Sequence, residues 1–329
     1  MKCINKRFVR VCSLLLVCSL CTISGTGCGE NRLEDAFEAD LPGIGIQTSE
    51  ESSKIPYFAS DLCVTDTDVQ DIEADTEDAL AACFFNLSEK KVLYAKNIHE
   101  RMYPASTTKI MTALVALDKG DLDAQTTVSK EAITFSESGV STAKLKEGDV
   151  LTLRQLLYAL LTVSANDAAN VIAEQIAGSQ DAFVEMMNQE AQKIGATNTH
   201  FVNANGLHSE DHYTTVYDLY LMFNAAMQHE EFLQMLQEKE YQASYQAADG
   251  TTVETVWSTT NQFTKGDVTV PDGVTAVGGK TGTTTAAMSC LVQLFEDAQG
   301  EQYVAIILGC KERGILYQEM QTFLSNLND

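Results

Sequence analysis

Strand-like apolar runs stand towards both ends of this 329-residue chain, and the stretch between them carries helical spacing. On the amino-terminal side, Ala79–Asn86 (ALAACFFN) and Lys91–Lys96 (KVLYAK) are joined by a short polar link and read as a hairpin. Ala287–Phe295 and Gln302–Gly309 are the clearest strand runs on the far side. After Pro104, the residues Ile110, Met111, Leu114, Val115 and Leu117 recur three and four apart. Leu153–Leu161, Asp167–Ile176, Gln180–Ile194, Thr215–His229 and Glu231–Gln237 do the same, so the spacing predicts a mostly helical stretch from about Thr126 to Gln237. Strand character returns after Thr251, and Ile315–Leu327 reads as a terminal helix. Strands from both ends with helices between them imply an α+β fold. Its antiparallel sheet is built from the two chain ends and flanked by helices, and a mainly helical lobe is inserted over about 126–240. A cleft between sheet and lobe is the natural place for a site.

The regions outside this pattern have their own composition. Lys2, Lys6, Arg7 and Arg10 precede an apolar run from Val11 to Ile23, with small residues after it. That run is short for a membrane span and reads as an export signal. Thr26-Gly27-Cys28 resembles the end of a bacterial lipobox, with Gly25 where leucine is usual. Residues 1–28 are therefore expected to direct export. Lipid on Cys28, the favoured outcome, or an uncleaved segment would hold the protein on the outer face of the membrane by an amino-terminal anchor, and ordinary cleavage near Gly27 is the other option. Residues 29–78 hold fifteen acidic and two basic residues and are expected to form a solvated tether. Residues 79–329 carry a net charge of −15, which argues against a nucleic-acid partner. Beyond the signal region, Cys63, Cys83, Cys290 and Cys310 remain. They form no disulfide framework, and no C-x-x-C pair suggests zinc. Buried thiols are the expectation for Cys83, Cys290 and Cys310, with a disulfide between neighbouring strands as the alternative in an oxidising compartment.

Three short motifs carry chemistry. Ser106-Thr107-Thr108-Lys109 stands at the start of the helix after Pro104, and a spacing of three puts Ser106 and Lys109 on one face. Ser164-Ala165-Asn166 falls where one helical run ends and the next begins, so both polar side chains can project into a cleft. Lys280-Thr281-Gly282 follows Gly278-Gly279 and leads to a strand, where glycine lets a ligand approach the backbone closely. Each motif alone is unspecific: the serines also suit helix caps, and the lysine an edge strand.

In the order S-x-x-K, S-x-N, K-T-G they form the set found in penicillin-binding proteins and class A β-lactamases. The chain over about 79–329 resembles the D-alanyl-D-alanine carboxypeptidases, low-molecular-mass penicillin-binding proteins with a β-lactamase-like fold. Tyr103–Thr112 (YPASTTKIMT) is close to that family's nucleophile segment. Asn198–Asn203 with Gly206-Leu207, then His212–Thr215 and Asp218, continue the match. The resemblance implies that Ser106 is acylated by the penultimate D-alanine of a peptidoglycan stem peptide, with Lys109 as base and Ser164 aiding proton delivery. It implies that Asn166, Lys280, Thr281, Gly282 and Thr283 bind the substrate, and that Arg313 takes its carboxylate. It implies no metal and no cofactor, and β-lactams as inhibitors that stay on Ser106. Four departures stand out: Ala165 for the usual glycine of S-G-N, Ala204 where proline is common, Thr283 after K-T-G, and Ala287-Met288 for Ala-Gly. Many relatives carry a β-rich second domain; none is expected here after the terminal helix.

Rival readings share parts of this pattern. A class A β-lactamase needs an E-x-x-L-N segment, and none lies between Asn166 and Lys280. A zinc peptidase would have only His208 and His212 at helix-like spacing. A non-hydrolytic wall-binding or β-lactam-sensing protein on the same scaffold is the alternative from another class.

Overall fold

The computed structural model describes residues 59–327. The signal-like segment 1–28 and the tether as far as residue 58 lie outside the described residues. Six strands make the main sheet: β1 (Val69–Gln70), β2 (Ala81–Asn86), β3 (Lys91–Lys96), β8 (Thr275–Thr284), β9 (Met288–Glu296) and β10 (Gln302–Cys310). Their order is β1-β3-β2-β10-β9-β8, with every pairing antiparallel. The two chain ends therefore meet at the β2–β10 pair in mid-sheet, where Cys83 sits opposite Ile306.

The centre of the sheet is covered on both faces. In β2, Ala81, Cys83 and Phe85 enter one apolar cluster, while Ala82 and Phe84 enter the other. In β10, Val304, Ile306 and Leu308 alternate likewise with Ala305 and Ile307. This is the period of two expected of a strand, and double burial makes it read as an unbroken apolar run. Eight helices supply the cover: α1 (Lys109–Lys119), α2 (Leu153–Leu161), α3 (Asn166–Ala177), α4 (Gln180–Lys193), α5 (Val216–Ala226), α6 (Glu230–Gln237), α7 (Gln262–Lys265) and α8 (Arg313–Leu324). Side chains of α1 and α5 fill the first cluster, and Leu316, Tyr317, Met320 and Phe323 of α8 fill the second. Phe84 stacks between Tyr303 and Phe323, with ring centres 5.5 and 5.3 Å away.

Among the described residues the cysteines, Cys63, Cys83, Cys290 and Cys310, do not bridge. All four are buried and free. Cys83 and Cys290 face the same cluster, but β10 separates their strands, so their Cα atoms stand roughly 10 Å apart, beyond disulfide reach. Cys310 belongs to the opposite face.

Two stretches differ from the sequence reading. The run from Thr126, read as mostly helical, contains short strands. β4 (Gln125–Thr127) and β5 (Val150–Thr152) join β6 (Glu240–Gln246) and β7 (Thr252–Ser258) in a second, four-stranded sheet. Strands of three residues are too short for alternation to register against the helical periods around them.

The tether expectation fails for residues 59–78, which pack onto the domain. Cys63 is 1% exposed; its N–H donates to the Tyr220 hydroxyl at 2.8 Å, and its carbonyl accepts from Tyr217 at 3.0 Å. Asp68 accepts from the N–H groups of Asn97 and Ile98, and Glu319 of α8 accepts from that of Asp78. A charge count treats acids as solvating, but here some of them satisfy backbone donors.

Replacing Asp68 with alanine leaves the Asn97 and Ile98 N–H groups without this acceptor. Urea denaturation should show a loss of about 1 kcal/mol. Limited proteolysis should find earlier cleavage within residues 59–78.

Candidate active site

Pro104 ends an extended segment, and the chain turns through Ala105 at φ 48° into a tight 3₁₀ turn, Ala105–Thr108, that runs into α1. Ser106 thus lies just ahead of the α-helix rather than inside it. The spacing argument survives, because residues three apart eclipse one another in a 3₁₀ turn. The Lys109 amine lies 3.0 Å from Ser106 Oγ, and Lys109 is fully buried. It also donates to Asn166 Oδ1 at 2.6 Å and to the carbonyl oxygen of Asn205. Burial pushes its pKa well below the ordinary lysine value, and the nearby Lys280 charge pushes the same way.

The second group forms where α2 and α3 meet. Ser164 takes a left-handed conformation, φ 58°, and its hydroxyl accepts from the Lys280 amine at 2.9 Å. Asn166 begins α3 two residues on. Behind it, the Asp167 carboxylate accepts from the N–H groups of Ala143, Leu145 and Ala168 and so ties the loop before β5 to the site. Lys280 lies on β8, an edge strand, and is also fully buried; desolvation brings its pKa down to about 7. Its amine donates to the Thr281 carbonyl as well, at 2.7 Å.

Further along β8, Gly282 faces the serine turn. A Cβ there would stand 3.0 Å from the backbone nitrogens of Ser106 and Thr107, so glycine is what keeps the space beside them open. Thr283 follows, and Arg313, exposed at the start of α8, reaches its hydroxyl at 3.4 Å.

All nine residues singled out in the sequence therefore gather around one end of β8. Ser106, Lys109 and Asn166 are joined by hydrogen bonds; so are Ser164, Lys280 and Thr281. Gly282 abuts the serine turn, and Arg313 stands at the rim through Thr283. Two contributors carried no motif signal. Asn205 acts through its backbone carbonyl, and Thr260 places its hydroxyl 2.5 Å from that of Thr281. His208 and His212 form no metal pair: both ring nitrogens of His212 are engaged, with Val202 N–H and with Thr108 Oγ1. Among the described residues no His/Cys/Asp/Glu group is arranged for a metal ion. A separate cleft of about 750 Å³, lined by Gln237, Phe263, Val270, Val274 and Glu296 among others, opens at the other end of β8 and holds none of these groups.

Sheet, inserted lobe and the three convergent motifs define the β-lactamase-like class of DD-peptidases and penicillin-binding proteins. Residues 68–312 match the family model for D-alanyl-D-alanine carboxypeptidases (peptidase family S11), and the chain belongs to that family. It is 38% identical over 156 residues to the D-alanyl-D-alanine carboxypeptidase DacF of Bacillus subtilis, which covers 46% of this chain and 40% of that protein. With DacC of Escherichia coli it shares 31% identity, covering 78% and 62% of the two chains. With DacB2 of Mycobacterium tuberculosis it shares 35%, covering 73% and 78%. The first two relatives are thus spanned over less than two thirds of their own length. Among solved structures, the Streptomyces K15 DD-transpeptidase superposes with a TM-score of 0.71 at 28% identity, covering 77% of this chain and 98% of that one.

The departure at Ala165 has a conformational explanation. Its φ of −64° and ψ of 119° are open to any residue, and it is fully buried. Ala165→Gly should therefore lower stability by about 1 kcal/mol through added chain entropy and lost methyl burial, read as a shift in the urea midpoint.

Proposed function

We propose that this protein is a serine-type D-Ala-D-Ala carboxypeptidase that removes the terminal D-alanine from peptidoglycan stem peptides through an acyl-enzyme on Ser106. The observation that carries this reading is the fully buried Lys109 amine 3.0 Å from Ser106 Oγ. A neutral amine has two N–H groups and one lone pair. Asn166 Oδ1 and the Asn205 carbonyl can only accept, so they take the two N–H groups and leave the lone pair for the serine proton.

In acylation, Ser106 Oγ bonds to the carbonyl carbon of the penultimate D-alanine while its proton passes to Lys109. We assign to the oxygen that becomes an anion the N–H of Ser106, beside the space that Gly282 leaves free, and, by family analogy, that of Thr283. The C–N bond breaks as Ser164 gives its proton to the leaving amine and is reprotonated by the Lys280 ammonium. Water then attacks the acyl carbon. Its proton returns through Ser164 to Lys280, and Ser106 leaves with the proton held on Lys109. Thr281, Lys280 and Arg313 take the terminal carboxylate, and Asn166 the substrate amide. A β-lactam acylates Ser106 by the same route and stays there.

This chemistry belongs outside the cytoplasm, where the wall is. The basic start, short apolar run and Cys28 support export and an amino-terminal membrane anchor, with lipid on Cys28 as the preferred form. The domain organisation we favour is a signal over 1–28, a tether that ends before residue 59, and the catalytic domain beyond it.

Fluorescent penicillin should label the parental protein and leave Ser106→Ala unlabelled; equal labelling of the two would sink the serine reading. Incubation with a pentapeptide should release free D-alanine. A sensor on the same scaffold would acylate with penicillin and release none.

The pH dependence follows from the two lysines. Lys109 must be neutral to accept the proton, so kcat/KM rises with pH through its lowered pKa. Lys280 must be charged to bind and donate, so kcat/KM falls above about pH 7. The expected profile for ester hydrolysis is a bell with its alkaline limb near 7. Lys280→Arg should lose that limb along with most of the rate.

A further inference from the structure

The acyl-transfer groups leave one buried histidine beside them without a part. His212 is 2% exposed, and desolvation pushes its pKa down to about 3, so the ring is neutral at any working pH. Nδ1 accepts from the Val202 N–H at 3.1 Å. A ring nitrogen that accepts carries no proton, so the proton of the neutral ring is on Nε2. Nε2 lies 2.7 Å from Thr108 Oγ1 and donates to it. The Thr108 hydroxyl in turn donates to the Ala105 carbonyl at 2.8 Å. Donors therefore run in one direction, from Val202 through His212 and Thr108 to Ala105.

The end point matters because the Ala105 carbonyl belongs to the peptide that precedes Ser106. In a trans peptide the C=O and N–H point to opposite sides. Holding the Ala105 oxygen inside the protein turns the Ser106 N–H outwards, beside Gly282. Ala105 needs such a hold, since φ 48° costs a non-glycine residue roughly 1–2 kcal/mol. Gly206 supplies the second restraint. It packs so closely that a Cβ would stand 2.1 Å from the Ala105 oxygen.

We propose that His212 and Thr108 are positioning residues, which clamp the Ala105–Ser106 peptide so that the Ser106 N–H faces the acyl oxygen as it becomes an anion. The proposal rests on Ser106 being the acylated residue.

The test compares the parental protein with Thr108→Val, Thr108→Ser and His212→Leu in single-turnover acylation. The substrates are a penicillin and a matched pair of ester and thionoester. Thr108→Val removes the donor at almost constant shape and should slow penicillin acylation about 10–10²-fold with the initial binding constant unchanged. Thr108→Ser should recover most of the rate. The rate ratio of ester to thionoester, which reports how well the anion's donors fit oxygen, should fall in Thr108→Val and His212→Leu and hold in Thr108→Ser. In a double variant carrying Thr108→Val and His212→Leu the two losses should combine less than additively, and the pH profile should keep its shape because His212 does not titrate in the working range. A folded Thr108→Val that acylates at the parental rate overturns the proposal. So does a loss of rate with an unchanged ester-to-thionoester ratio, which marks a merely structural role. If His212→Leu does not fold, the Thr108 pair decides alone. Failure of the parental protein to label at Ser106 removes the serine reading itself, a result distinct from either.

Discussion

A lysine amine shut away from water is the constraint on which this molecule turns. An ammonium group in such a place costs several kcal/mol unless a counter-ion meets it. Among the described residues no carboxylate is hydrogen-bonded to Lys109: Asp167 is occupied by three backbone N–H groups and acts on the amine only through its charge. The amine is instead met by neutral groups: the Ser106 hydroxyl of the serine turn, Asn166 at the start of α3 and the carbonyl of Asn205. Those three parts of the chain are tied together through one nitrogen. The same fact makes the nitrogen useful, since a lysine paired with a carboxylate would stay charged and could take no proton. Asp167 therefore serves the site best by being busy elsewhere.

The sheet explains where the second lysine stands. Because β2 and β10 pair in the middle, β8 is pushed to the rim, where one side of its backbone is free for a ligand. Lys280 is buried on that rim strand, beneath Ser164. Both amines are buried, with no carboxylate among the described residues in contact with either, and burial lowers the affinity of each for a proton. The effect is unequal. Lys109, with the additional repulsion of Lys280, is displaced far, while Lys280 comes to about 7. Burial, with the repulsion of Lys280 added at Lys109, thus leaves one amine displaced further than the other before any substrate arrives.

What the sequence made legible, and what it hid, divides along physical lines. β2 and β10 were readable because burial on both faces turns a strand into an apolar run. S-x-x-K, S-x-N and K-T-G were readable because each acts through side chains at a spacing that the local backbone preserves, whether the turn is α or 3₁₀. Asn205 was not, because a backbone carbonyl has no residue preference. Thr260 was not, because a lone hydroxyl in a polar stretch resembles its neighbours until folding brings it against Thr281. Composition misjudged residues 59–78 for a related reason. Charge counts treat every acid as solvated, whereas Asp68 spends its carboxylate on two backbone donors.

The departures from the family pattern follow the backbone as well. Ala165 replaces a usual glycine at an ordinary φ and costs nothing in conformation. Met288 also replaces a usual glycine, but at φ 55°, in the left-handed region that disfavours a side chain. Ser164 and Ala105 share that region, and both lie within the site. In Ser164 the strain aims a hydroxyl at Lys280; in Ala105 it turns the peptide before the nucleophile. Both residues are held by hydrogen bonds, Ser164 by Lys280 from a distant strand and Ala105 by Thr108 at the end of its own turn. Met288 has no such tie to the chemistry. It begins β9, opposite Thr284, four residues beyond Lys280, and its strain is carried by the register of two paired strands. Strain held by the sheet is a matter of stability, whereas strain held by catalytic neighbours changes with their state. On the proposed mechanism, Ser106 and Ser164 exchange protons during acylation, so two of these left-handed residues, Ala105 and Ser164, stand at or next to the reacting groups, and Met288 does not.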